Sequence, residues 1–206
     1  MVECLRRFAP DVVFVQEAPR FLRAQARLAR LARESGLVVA STGHGAHGVA
    51  ILTRLRLSVH GPAQLELPRT PGLHRRGIAR ADVSLGAKAF TAVSVHLGLD
   101  GAERRRHAAL IKDTLEWVPG GVCVLGGDLN ALPGSPAWRV LGEGLTDAGA
   151  EAQLPTFPAV SPKSRIDTLF VPRGWSAEVV EPRDLVDDAL LVRATDHRPV
   201  IVDVVD

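Results

Sequence analysis

The sequence predicts one α/β or α+β domain over residues 1–206, and three observations carry that prediction. The chain is long enough, and at 46% hydrophobic and 23% charged rich enough, to bury one sizeable core. Short apolar strand-like runs alternate with helix-like ones, without an internal repeat or a low-complexity linker. The strand runs outnumber the helical ones and follow one another at the spacing of hairpins and meanders. Sheets packed on each other and covered by helices satisfy that pattern.

The elements follow in order. Residues 11–16 read as a strand apolar on both faces, hence buried. Residues 19–34 read as a helix with Phe21, Ala24, Leu28 and Leu31 as its apolar stripe. Arg20, Arg23, Arg27 and Arg30 recur on another face, which a solvated helix surface explains. Strand-like runs then occupy 37–41, 48–53, 57–60, 78–85 and 89–97. Residues 101–117 read as a helix and 122–126 as a buried strand. A short helix over 135–141 has Ser135 as its cap and Pro136 at its first position. Runs at 166–171, 175–180 and 200–204 close the series.

Composition excludes several classes. Lys+Arg is 25 against Asp+Glu 23, a formal charge of +2, so this is neither a basic nucleic-acid coat nor an acidic tail. Lys88, Lys112 and Lys163 are the only lysines, so arginine excess is a general habit of the chain and a poor indicator of phosphate binding. Cys4 and Cys123 lie among apolar residues and read as buried free thiols. No apolar run approaches the ~20 residues of a membrane span, and the opening residues lack a signal peptide's order. The expected location is the cytoplasm.

The informative residues interrupt the ends of buried strands. Glu17 ends the first strand and His96 ends the run at 92–96. Asp128 and Asn130 follow a run closing on Gly126 and Gly127. Asp167 opens an apolar strand, and Asp196 and His197 precede the last one. A carboxylate at the end of an apolar strand has a desolvation cost and needs a partner. Several converging at one edge would make a site for a hard cation, Mg²⁺ or Mn²⁺ rather than zinc. Asp128 and Asn130, two apart, point the same way in extended backbone, and the glycines before them allow close backbone approach. The pair offers an acceptor for a water's proton and a donor for a phosphoryl oxygen. Asp167 would hold the His197 imidazole in one tautomer and stabilise its charged form. Taken singly, each has an ordinary reading: a turn for Asp128 and Asn130, a loop for Asp196 and His197, a helix-start charge for Glu17, a satisfied core histidine for His96. Their order is what carries the case.

That order resembles the endonuclease/exonuclease/phosphatase superfamily of metal-dependent phosphoesterases. The matching blocks are PDVVFVQE at 10–17, GVAILTR at 48–54, VSVHL at 93–97, GDLNA at 127–131, SRID at 164–167 and TDHRP at 195–199. The resemblance implies a four-layer αββα sandwich with two mixed sheets face to face. It implies Glu17 and Asp196 at the metal, Asp128 activating water, Asn130 on a phosphate oxygen, and His197 with Asp167 stabilising the transition state. His96 resembles the histidine of the deoxyribonuclease, sphingomyelinase and inositol-phosphatase branches; an abasic-site endonuclease would carry a tyrosine there, and this chain has none. The expected activity is hydrolysis of a phosphate ester by a phosphodiesterase, with nucleic acid among its candidate substrates. The alternatives are a phosphatase or phosphodiesterase of a small molecule or lipid headgroup, and a truncated, catalytically silent phosphate-binding domain. The last arises because the family's opening strand, ending in an asparagine, has no counterpart in these residues. Its absence would leave unpaired strand edges.

Overall fold

The computed structural model describes residues 1–115 and 121–205. The elements in chain order are α1 (Val2–Phe8), β1 (Val12–Val15), α2 (Ala24–Glu34), β2 (Val38–Ser41) and β3 (Ala50–Thr53). Then come β4 (Ser58–Glu66), β5 (Gly77–Leu85), β6 (Lys88–His96), α3 (Gly101–Leu115) and β7 (Cys123–Asp128). The series ends with α4 (Pro136–Gly142), β8 (Leu145–Asp147), β9 (Asp167–Pro172), β10 (Ser176–Val180), α5 (Asp188–Ala194) and β11 (Ile201–Val205). Glu116 and Trp117, expected at the end of the third helix, lie outside the described residues.

Strand β7 is buried along its whole length and sits inside a six-stranded sheet of order β4-β5-β6-β7-β9-β8. The β6–β7 pair is parallel, joined through α3, and the other pairs are antiparallel. One face of this sheet packs on α3 and α4 through Val93, Val95, Ile111, Leu125, Trp138 and Phe170. The other face meets two smaller antiparallel sheets, β1-β3-β2 and β10-β11. Ile51 and Phe14 pack there on Ala79, Ala81 and Ala92, and Val202 packs against Val124 and Val171. On the far side, α2 covers β1–β3 through Leu28, Ala32, Ala50 and Leu52. The four expected layers are therefore present. The second sheet differs from expectation in being two antiparallel pieces: among the described residues β1 pairs only with β3, and β11 only with β10.

Gly126 and Gly127 are where the layers come closest. A Cβ on Gly126 would lie 2.9 Å from the Phe14 ring, and one on Gly127 would fall onto the Val95 carbonyl oxygen. Bare backbone there lets β1 lie on β7 and keeps β7 tight against β6.

Two local readings are corrected. The second helix starts at Ala24, not Pro19, because Leu22 and Arg23 take left-handed backbone (φ 38 and 60) and no side chain caps the helix. Phe21 is consequently 78% exposed and Leu22 90% exposed, and the buried stripe is Leu28 and Ala32 with Leu31. The strand expected at 57–60 is longer, running as β4 to Glu66. The cap of α4 is as expected, with Ser135 Oγ accepting from the Trp138 backbone N–H at 3.4 Å. Cys4 and Cys123 are buried free thiols, and burial pushes the Cys123 thiol up to about 12. Among the described residues no helix is long and apolar enough to cross a membrane.

Candidate active site

Three strands of the large sheet bring His96, Asp128 and Asp167 into one lateral row. His96 ends β6 opposite Asp128, and Asp128 ends β7 opposite Asp167, the first residue of β9. Neighbouring strands lie about 4.8 Å apart, and side chains in one row share a face. His96 Nε2 is 3.3 Å from Asp128 Oδ2. The other Asp128 oxygen accepts from the Asn130 backbone N–H at 2.7 Å. Asn130 sits in left-handed backbone (φ 48), and its side-chain amide donates to the Leu97 carbonyl at 2.9 Å. One amide hydrogen and the amide oxygen remain for a ligand.

His197 joins the row from the turn before β11. Its Nδ1 is 2.9 Å from Asp167 Oδ2, and its ring lies 4.9 Å from the Phe157 ring centre. That turn is laced to the segment before β9. Ala159 N donates to Asp196 O at 2.6 Å, Arg198 N to Thr156 O at 2.6 Å, and Arg198 Nε to Ala159 O at 2.7 Å.

Burial and neighbours set the charges. Asp128 is 5% exposed; burial, then the Asp167 charge, push its carboxyl up to about 7. Burial, then the Arg76 charge, push His96 down to about 3, so it is neutral at pH 7. Arg76 Nη1 lies 3.3 Å from His96 Nδ1. A guanidinium can only donate, so Nδ1 accepts and the imidazole proton sits on Nε2, facing Asp128. The hydrogen bond to Asp167 raises His197 to about 9. In Asp167→Asn the His197 titration followed by NMR is expected to fall toward 6.5; a midpoint unmoved from about 9 would contradict this pairing. The pair's contribution to stability is complete below the unfolded histidine value of about 6.5 and is lost as pH rises through 9.

Glu17 and Asp196 are both exposed. Glu17 lies just past β1 and its charge acts on Arg76. Asp196 flanks His197 and acts on it, while its Oδ1 accepts from Thr195 Oγ1 at 3.3 Å. Among the described residues, the His, Cys, Asp and Glu side chains whose ligand atoms converge within 4.8 Å of one another are Asp128, Asp167 and His197. Two carboxylates on neighbouring strands, one of them buried, repel each other, and a divalent cation beside them relieves that repulsion. With His197 protonated, the donors that remain are hard carboxylate oxygens, which suit Mg²⁺ or Mn²⁺.

Sequence reasoning missed the support behind the row. Asp147 of β8 takes a two-pronged ion pair from buried Arg165 (3.0 and 2.8 Å), the Thr168 hydroxyl at 2.8 Å and Trp138 Nε1 at 3.1 Å. Arg165 also lies 4.7 Å over the Trp138 ring. This network holds the strand end that carries Asp167. Phe157 and the placement of Arg76 beside His96 were likewise not legible; no local pattern marks either.

A family model described as "Endonuclease/Exonuclease/phosphatase family" matches residues 1–197. No curated protein matches the chain significantly in sequence. Among solved structures, a mannosyl-6-phosphatase of Bacteroides thetaiotaomicron is similar at TM-score 0.78 and 16% identity, covering 100% of this chain and 89% of that one. An endonuclease/exonuclease/phosphatase of Bacteroides vulgatus is similar at TM-score 0.76 and 19% identity (99% and 88% covered). The human Nocturnin catalytic domain with bound sulfate is similar at 0.71 and 15% (99% and 86%). At these identities the likeness is one of fold.

Proposed function

This chain belongs to the endonuclease/exonuclease/phosphatase family of phosphoesterase hydrolases, and from that premise we propose that it cleaves a phosphate ester by direct attack of water, with Mg²⁺ or Mn²⁺ as cofactor. The observation that supports this most is the row His96–Asp128–Asp167 closed by His197. It sets a water-activating carboxylate beside a fixed positive charge at the edge of a rigid sheet.

Each group has a task its surroundings suit. Asp128 orients the attacking water and takes its proton; a carboxyl near 7 is well matched to a base working at neutral pH. His197, charged below about 9, stabilises the negative charge that builds on the phosphoryl oxygens. Asp167 holds that imidazole by Nδ1 and keeps it charged. The free amide hydrogen of Asn130 donates to a phosphoryl oxygen. His96 donates from Nε2 and keeps the Asp128 carboxylate in place. Glu17 and Asp196 would hold the cation. When bound, the cation polarises the phosphoryl oxygen and stabilises the leaving oxygen. The proposal takes the whole chain as one domain acting in the cytoplasm, where free thiols such as Cys4 and Cys123 persist.

The test is hydrolysis of bis-p-nitrophenyl phosphate and p-nitrophenyl phosphate with Mg²⁺, Mn²⁺ or EDTA. Turnover with either metal and none in EDTA is expected. A folded protein that turns over neither ester with either metal would overturn the proposal. The phosphodiesterase expectation, with nucleic acid as a candidate substrate, has its own mark. Rates on DNA would fall steeply with salt, because a nucleic-acid groove releases counterions.

A further inference from the structure

Some arginines of this chain are paired with carboxylates and others are not. Arg56, Arg75, Arg80, Arg165 and Arg198 are paired with carboxylates. Arg20 and Arg76 are not: among the described residues neither has an ion pair, Arg76 touches the row at His96, and the Arg20 charge acts on the same histidine.

Arg76 ends the loop between β4 and β5. It is half-buried, Nη1 touches His96 Nδ1 at 3.3 Å, and Nε is buried with no hydrogen-bond partner. The loop that carries it is pinned to α3. His107 Nε2 is 2.9 Å from the Pro68 carbonyl oxygen, Arg106 donates to Thr70 Oγ1 at 2.9 Å, and Leu67 N donates to Arg76 O at 2.9 Å. Arg20 follows β1 on the other side. Its stem lies over Gly48, where a Cβ would meet Arg20 Cδ at 3.1 Å. The Arg20 charge acts on both Arg76 and His96. The carboxylates whose charge reaches Arg76 are Asp128, Glu103 and Glu17, and none of them hydrogen-bonds it. Glu103 is itself buried with Oε1 unpartnered.

The Arg20 charge acts unfavourably on that of Arg76, and the half-burial of Arg76 adds the cost of lost hydration. An anion between them offsets both, and a guanidinium fork matches phosphate oxygens in pairs. A diester presents one negative charge and two free oxygens. A terminal phosphate presents roughly −1.5 to −2 and three free oxygens.

We infer that Arg20 and Arg76 form a clamp for a terminal phosphate, so that the preferred substrate is a phosphomonoester rather than a phosphodiester. This rests on the hydrolytic reading of the same site. The fixed loop makes Arg76 the stronger arm, since its position is set before substrate arrives.

The experiment compares kcat/KM on p-nitrophenyl phosphate and bis-p-nitrophenyl phosphate for the Mg²⁺-loaded wild type, Arg76→Ala, Arg76→Lys and Arg20→Ala. Binding of inorganic phosphate to the same proteins is measured by calorimetry, with melting curves to show that each is folded. The wild type is expected to prefer the monoester. In each alanine variant the loss on the monoester should exceed the loss on the diester by about 10–100-fold, the range for one charge-assisted hydrogen bond. Phosphate binding should weaken at least ~10-fold in parallel, and Arg76→Lys should recover part of both. Equal losses on the two esters, or a wild type that prefers the diester, would overturn the clamp. A wild type that binds phosphate through Arg76 but hydrolyses neither ester would keep the clamp and overturn the hydrolytic reading. Absence of both binding and turnover would overturn the two together.

Discussion

Asp128→Asn is expected to lower kcat on either nitrophenyl ester by ~10²–10⁴, and His197→Ala by ~10²–10³. The first change keeps the shape of the residue and an oxygen to accept from Asn130 N, while removing the base. The second removes the charge that Asp167 maintains. The Asp128 variant also makes a prediction that separates chemistry from folding. With no metal bound, burial raises the Asp128 carboxyl to about 7, well above its unfolded value of about 3.9. Such a group costs stability as pH rises from about 4 to about 7, where the unfolded chain gives up a proton that the folded chain keeps. Asp128→Asn removes that cost. Melting curves in EDTA should show the wild type losing stability relative to the variant as pH rises from about 5 to about 8. A stability difference that does not change with pH would show that the Asp128 carboxyl does not titrate in this range. Near-normal rates in either variant would remove it or His197 from the reaction.

Asp147→Ala is expected to destabilise the protein by ~3–5 kcal/mol, because it leaves the Arg165 charge buried and unpaired. Arg165 is 6% exposed, and besides Asp147 it meets the Thr168 hydroxyl at 3.4 Å and the Trp138 ring. Burial pushes the Asp147 carboxyl up, but Arg165 and Thr168 outweigh it and hold it below the usual carboxylate value. Its contribution is therefore present above about pH 4 and fades as pH falls through the lowered value. For a chain of this size the loss corresponds to a fall in Tm of roughly 6–20 °C. The double variant Asp147→Leu with Arg165→Met replaces the pair by apolar groups and should recover most of it. Urea unfolding of the three proteins decides the matter. A single variant within about 1 kcal/mol of wild type would mean that water reaches Arg165 and the pair is not buried in solution.

Most sheet strands and the row residues His96, Asp128 and Asp167 were legible in sequence for one reason. Buried strands write themselves as apolar runs, and a polar residue that ends such a run stands out against it. His96, Asp128 and Asp167 all end or open runs of this kind. Longer-range choices leave no such mark. Strand β8 has three residues, too few for alternation to show, so the Asp147–Arg165 pair that depends on it was invisible. The start of α2 was misplaced because apolar spacing at Phe21 and Ala24 mimics a helix, while the left-handed turn at Leu22 and Arg23 has no cap residue to announce it. The placement of Arg76 left no mark either, since nothing local separates Arg76 beside His96 from Arg75 beside Glu66.

The lateral row has an evolutionary corollary. His96, Asp128 and Asp167 take their spacing from backbone ladders rather than from loops, and a slip of one residue in either ladder would turn a side chain of the candidate site to the opposite face. Selection on turnover and selection on durability therefore act on the same hydrogen bonds. Diversification into new substrates is left to the segments that hang beyond the strand ends, such as those bearing Arg20, Arg76 and Phe157, where length and composition can drift while the reacting groups stay in register.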